Sequence, residues 1–271
     1  MTIETLVQQA QDGNREALEQ VVVAIQDKIY YLALRMLANV EDAQDATQEI
    51  MIRVITKLST FQFNSKFQTW VFRVATNYLL DARKARAKEP DLSFDDFQND
   101  LEEDLEEPAE LEELVEYPLL LNEVRISCTM AMLLCLNKKL RLAYILGDIF
   151  QLNHTEASQA LGVSKVSYRQ QLARARKKVL AFTTRSCGLV SEQARCSCRT
   201  KMKGAIKRNR IDPARIQLAQ PGAATHAEIQ QKIAETQTHL KTVTLQTAMP
   251  HFHSPEDFGK MMEGLLSNSI D

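Results

Sequence analysis

The sequence predicts an all-α protein with two helical domains, and three observations carry that expectation. Apolar residues recur at three- and four-residue spacing through most of residues 1–88 and again through 118–182. Glycine is scarce, at 8 of 271 residues, and aromatics make up 6%, which leaves little material for the turns of a β-sandwich or barrel. Charge is segregated: fourteen acidic residues lie between Glu89 and Tyr117 with no basic residue among them. A block so charged divides a chain. The net charge of −2 hides the consequence, because 33 Lys and Arg then face only 21 acids elsewhere. Lys165–Arg210 alone holds fourteen of those cations against the single acid Glu192. Such a surplus faces nucleic acid or another polyanion, the plain alternative being a solvated surface.

The first domain, 1–88, reads as three or four helices with short connections. Asn14 has the side chain to cap a helix whose buried stripe is Leu18, Val21, Val22, Ile25, Ile29, Ala33 and Met36. Asn39 marks a break before a second helix with Ile50, Val54, Ile55 and Leu58 inside. Residues 61–64 form a turn, and Ser65 is expected to cap a third helix, with Phe67, Val71, Val74 and Tyr78 on one face, running to about Lys88 before Pro90. Residues 89–117 are expected to be an extended, flexible linker, since fourteen carboxylates repel one another; partial periodicity at Leu111, Leu114 and Val115 allows some helix near 108–117.

The second domain, 118–182, opens on a strongly apolar stretch, Leu119 to Leu146. Thr155 is the expected N-cap of a short helix ending at Leu161, Gly162 gives a tight turn, and Ser164 caps a further helix to about Phe182. Two short helices around a glycine turn describe a helix-turn-helix. Residues 183–210 form a basic segment with three cysteines, and 211–271 an extension with a polar helix at about 224–247 and a Met-rich one at 255–266.

Three patterns carry chemistry. The second helix of the helix-turn-helix presents Ser164, Lys165, Ser167, Tyr168, Arg169, Gln171, Arg174 and Arg176, a set without acids that suits base edges and phosphates of duplex DNA. Residues 61–78 hold six of the seventeen aromatics, interleaved with cations, as single-stranded nucleic acid requires. There Phe67, Phe72 and Tyr78 read as core, whereas the loop 63–66 and the face with Arg73 and Asn77 do not. Glu41, Asp45, Glu49 and Arg53 recur every four residues on one helix face, which by itself reads as solvated surface with weak ion pairs.

These segments resemble the bacterial extracytoplasmic-function sigma factors of RNA polymerase. Residues 31–50, YLALRMLANVEDAQDATQEI, followed by 67–77, FQTWVFRVATN, are similar to region 2 of that family. Residues 141–150, RLAYILGDIF, with the helix-turn-helix ending in Leu172–Arg176, are similar to region 4. The resemblance implies that Asp45, Gln48, Glu49 and Arg53 dock on the clamp helices of the polymerase β′ subunit, and it makes the β flap a further contact. It implies that Asn64, Ser65, Lys66, Trp70, Arg73, Asn77, Arg83 and Lys84 open and read the promoter −10 element, offsetting the few kcal/mol of base flipping. The helix-turn-helix residues then read the −35 element, and the acidic linker threads a basic channel or simply tethers the two halves. Ser158, Val166, Tyr168 and Gln171 depart from the usual pattern, so −35 preference is not carried over.

About ninety residues continue past region 4. Cys187, Cys196 and Cys198 resemble an appendage of some sigma factors. Three thiolates could hold Zn²⁺ with a fourth ligand from elsewhere, or sense redox state, with nearby Arg and Lys expected to lower their pKa. No other cofactor is expected. The basic run 201–210 is expected to add phosphate contacts, and His251, His253 and Glu256 read as a surface loop rather than a metal trio. The expected function is therefore a sigma factor acting on promoter DNA and core RNA polymerase in the cytoplasm, with no membrane segment or secretory signal, and with an anti-sigma protein among the partners the resemblance allows. A stand-alone helix-turn-helix regulator and a helical adaptor for acidic proteins are the competing readings. No phosphate-cradling glycine loop, nucleophile–base pair or HExxH spacing supports an enzyme.

Overall fold

The computed structural model describes residues 1–81, 92–255 and 257–259. Among them there are helices and no strand. The first unit comprises α1 (Ile3–Gln11), α2 (Arg15–Leu37), α3 (Val40–Thr56) and α4 (Phe67–Asp81). Local chemistry sets its boundaries. The Asn14 side chain accepts from Ala17 N–H and that of Asn39 from Asp42 N–H, each satisfying an orphan donor of the first turn. Between them Ala38 closes α2 in the left-handed region at φ 50°. Ser65 is not a cap: its hydroxyl bonds the Lys66 carbonyl at 3.3 Å, and α4 starts at Phe67. Residues 82–91, where that helix was expected to run on, lie outside the described residues.

The expected flexible linker is folded over its described part. Ser93 caps α5 (Phe94–Glu102), whose Phe97 and Leu101 are buried, and 105–116 continues as turns rather than helix. Two effects overcome carboxylate repulsion. α5 buries its apolar face, with Phe97 stacked on Phe182 at 5.4 Å, and its acids meet a row of cations described below.

α6 (Tyr117–Leu134) and α7 (Lys138–Tyr144) come from the apolar stretch, and one π-turn, Ile145–Ile149, follows. α8 (His154–Leu161) is capped by Asn153 in a capping box with Glu156, not by Thr155. Gly162 ends it at φ 66°, and Ser164 caps α9 (Lys165–Ser186), which outruns the expected end by a turn. The extension supplies α10 (Cys198–Lys207), α11 (His226–Glu235) and α12 (Lys241–Thr247). The single polar helix expected there is broken at Thr236 and by a 3₁₀ turn, Thr238–Leu240. The Met-rich segment lies almost wholly outside the described residues.

One hydrophobic core passes from Val7 in α1 to Val179 in α9, so the two units share an interior. Phe72 of α4 meets Phe150 edge-on at 5.0 Å, and Phe150 also lies 5.4 Å from Tyr31 of α2. Arg141 of α7 is the polar rivet: it donates to the Leu133, Leu134 and Leu136 carbonyls that end α6 and to the Met36 carbonyl that ends α2, at 2.6–2.9 Å.

Candidate nucleic-acid interface

α9 is positioned by its apolar side. Tyr168, Leu172, Ala175 and Val179 point into the core, which leaves Lys165, Arg169, Arg174, Lys177 and Lys178 on the solvent side. Two expected DNA contacts are displaced by this register. Tyr168 is fully buried; burial pushes its phenol up to about 12, and its hydroxyl has no hydrogen-bond partner among the described residues. Arg176 is committed to the buried Asp148, both carboxylate oxygens accepting from it. Ser164 is spent as the cap and Ser167 accepts from Gln171 at 3.1 Å. Arg169 donates to His154 Nδ1 at 3.2 Å from an exposed position. The usable cationic face is thus Lys165, Arg169, Arg174, Lys177 and Lys178, with Gln171 at its edge.

α4 presents the opposite situation. Asn64, Lys66, Arg73 and Asn77 are exposed and Trp70 half-buried in an aromatic group with Phe61 and Phe67, while Arg83 and Lys84 lie outside the described residues. Yet the basic members are already engaged by α8. The Lys66 ammonium pairs with Glu156 at 2.7 Å, which raises the lysine pKa and lowers that of the glutamate. Arg73 donates to the Gln159 carbonyl at 2.9 Å, and the buried Thr76 hydroxyl to the Ala160 carbonyl at 2.8 Å. These carbonyls are the negative end of the α8 dipole, a natural seat for a cation. Gly162 is favoured by its positive φ, and a Cβ there would push aside the Arg73 guanidinium.

α3 carries the stripe expected to meet the polymerase. Asp45, Glu49 and Arg53 are exposed and Gln48 half-exposed. Arg53 lies 4.0 Å from Glu49 and sits over the Tyr78 ring at 4.7 Å, which fixes it without burying it.

The basic run 201–210 does not form the expected phosphate surface. Asp100 of α5 is buried among Lys201, Arg208 and Arg210, all three within ion-pair reach. Around it Arg208 reaches Glu103 and Asp104 at 2.7 and 2.9 Å, Lys203 reaches Glu106 and Glu110 at 2.9 Å each, and Arg199 reaches Glu107 at 3.2 Å and Glu112. The acidic block and the 199–210 part of the basic segment neutralise each other.

Among the described residues no three His, Cys, Asp or Glu groups stand close enough to hold one metal ion, so Cys187, Cys196 and Cys198 are not a formed centre. They do line one small cavity with Cys128 of α6, a residue the sequence reading did not single out. Nor are the thiols activated: burial pushes Cys196 up to about 12 and raises Cys128, Cys187 and Cys198 as well, outweighing Lys201 and Arg125. Of the His251, His253 and Glu256 group, His253 Nδ1 faces Asp27 at 2.8 Å and Glu256 is outside the described residues. Glu123 was likewise missed: its carboxylate accepts from the N–H groups of Gln217, Leu218 and Ala219 at 2.6–3.2 Å and anchors the extension on α6. A polar cluster, Asn122, Glu123 and Arg125, inside an apolar run was the available signal.

The fold and faces define a helical protein whose helix-turn-helix is followed by an extension and preceded by a bundle with an aromatic-cationic helix. Comparison with known proteins agrees: the sigma-70 region 2 model matches residues 21–89 and the sigma-70 region 4 model residues 126–179. In both regions the chain is similar to extracytoplasmic-function RNA polymerase sigma factors. It is 40% identical over 95 residues to the ECF RNA polymerase sigma factor SigW of Bacillus subtilis, covering 35% of this chain and 50% of that one. It is 34% identical over 85 residues to the RNA polymerase sigma-H factor of Pseudomonas aeruginosa (31% and 44%), and 27% over 180 residues to the ECF RNA polymerase sigma-E factor of Escherichia coli K12 (66% and 93%). The chain therefore spans about half the length of the Bacillus and Pseudomonas relatives. Among solved structures, CnrH in complex with the cytosolic domain of CnrY superimposes at a TM-score of 0.47 with 22% identity, over 65% of this chain and 94% of that one. No described helix is long and apolar enough to cross a membrane.

Proposed function

We propose that this chain is a promoter-specificity subunit that binds core RNA polymerase, recognises −10 and −35 elements and promotes strand opening, a binding factor rather than an enzyme, working in the cytoplasm. The observation that carries the proposal is the order of the two sigma-70 regions on helices whose free faces suit separate tasks. In this reading Asp45, Gln48, Glu49 and Arg53 take the β′ clamp helices, with the β flap a contact for the second unit. Lys165, Arg169, Gln171 and Arg174 read the −35 duplex while Lys177 and Lys178 hold phosphates. Asn64, Ser65, Lys66, Trp70, Arg73, Asn77, Arg83 and Lys84 take the −10 element, once α8 has left α4. An anti-sigma protein is a further partner of this reading.

Run-off transcription tests it. Core polymerase supplemented with the chain should start synthesis at new positions. No redirected start would favour the second reading, a stand-alone duplex-binding regulator, which draws support from α9 being open while α4 is covered. Zinc is part of the proposal only with Cys128 as the fourth thiol. Binding then has to draw the sulfurs together and displace their protons. Metal analysis of the reduced protein should find one ion per chain, and no metal with unchanged promoter binding in Cys196→Ser would end that part.

A further inference from the structure

The segment 241–258 touches both units at once. Toward the first unit, the Gln246 carbonyl accepts from the buried Arg35 of α2, Asp27 accepts from Ser254 N–H at 2.9 Å and faces His253, and Gln26 accepts from Phe258 N–H at 3.2 Å. Phe252 stacks on Tyr31 with ring centroids 5.8 Å apart. Toward the second unit, the Ala248 carbonyl accepts from Arg125 of α6 at 2.5 Å, Gln246 donates to the Thr129 carbonyl at 3.4 Å, and the Thr242 and Thr183 hydroxyls meet at 2.7 Å beside α9. The extension carrying this segment is in turn fastened by Glu123 and by the ion pairs between α5 and α10.

We infer that residues 241–258 are a bar in cis that holds the two units together and so keeps the −10-reading face of α4 shut against α8. The bar is built to be removable. Arg35 is wholly buried; among the described residues its Nε and Nη1 have no hydrogen-bond partner, its guanidinium lies 5.6 Å over the Tyr31 ring, and burial lowers its pKa. Arg125, lowered to about 10 by burial and then by Arg35, approaches the same end of α12. Two guanidiniums meet the carbonyls at the end of one short helix, and lifting α12 would return both to water. The closed form thus contains an electrostatic cost that opening relieves. A binding site open in one molecule of about ten has about tenfold weaker apparent affinity. That is the scale on which a bar of this kind regulates.

The inference rests on the sigma-factor reading only for its transcription arm. The test uses the full chain with spin labels, carried on unnatural side chains at the exposed positions Asn77 and Gln159, and two variants of the bar: Phe252→Asp, which forces a charge against Tyr31, and the milder Asp27→Ala, which removes the His253 and Ser254 contacts. The expected result is a longer label distance in both variants, with tighter binding to a −10 single strand by about tenfold in Phe252→Asp and less in Asp27→Ala. An unchanged distance in a folded Asp27→Ala and in Phe252→Asp overturns the bar. A longer distance without tighter strand binding overturns its inhibitory role. If neither wild type nor variant redirects core polymerase, the sigma-factor reading fails, while the distance and strand-binding results still decide the bar.

Discussion

α4 and α9 are both cationic helices expected to face DNA, and they differ in what occupies them. α9 turns its apolar side to the core and leaves five cations in solvent. Beside α4, Lys66 is given to Glu156 in the first turn of α8 and Arg73 to the Gln159 carbonyl near its C-terminal end. The peptide carbonyls at the end of α8 offer Arg73 what a phosphate would, oxygen acceptors at the negative end of a dipole. A cation's availability therefore depends on partners nearly ninety positions away in the chain, and composition does not reveal it. The same holds for the second basic window, whose lower half faces solvent on α9 and whose upper half is neutralised by the acids of 94–112.

The largest expected effect lies outside both helices and isolates them. Asp45→Arg should weaken association with core polymerase by about a thousandfold, since like-charge juxtaposition at an interface costs several kcal/mol, and should leave the melting temperature and duplex binding alone; a pull-down with core subunits and a melting curve check both. Next, Arg141→Ala removes the rivet shared by α2, α6 and α7 and should cost about 3 kcal/mol of stability by denaturant unfolding, because four carbonyls lose a charged donor. Should the loss be negligible, Arg141 would not be what fastens α2 to the second unit. A third substitution sharpens the contrast between the helices. Arg169→Ala with Arg174→Ala should lower the slope of log affinity against log salt for duplex DNA by about 2, as expected for two lost phosphate neutralisations, whereas Arg73→Ala should leave that slope unchanged in the closed chain.

The smallest expected effect is a pH dependence at the foot of α11. His226 is lowered to about 4 by burial and by Arg125. Its folded form therefore stays neutral where the unfolded chain, near 6.5, takes a proton. Unfolded molecules bind more protons between those values, so stability falls as pH drops from about 6.5 toward 4 and is unaffected by this group above that window. His226→Gln should flatten that part of a stability–pH curve; an unaltered slope would assign it to other groups.

The sequence revealed what depends on neighbours. Asn14, Asn39 and Ser164 cap helices because the partner N–H lies two or three residues on, and Gly162 ends α8 because only its own backbone must turn. Thr155 has a side chain that can cap, but Asn153 takes the role because Glu156 completes the box with it. The cationic face of α9 was legible from its lack of acids, but not the register that buries Tyr168 or the Asp148 that claims Arg176. Asp100 and Cys128 were invisible as site residues because their partners lie about 60 to 110 positions away, and the polar cluster around Glu123 marks an anchor without revealing what it anchors. The linker was misjudged for the same reason: repulsion within 89–117 is real, and its remedy is a set of cations on α10.

The most direct measurement is the distance between labels at Asn77 and Gln159 in the wild-type chain, alone and in complex with core polymerase and a promoter. A single short distance in the free chain that lengthens in the complex is the predicted result. A broad distribution in the free chain, as from two units tumbling apart, would contradict it.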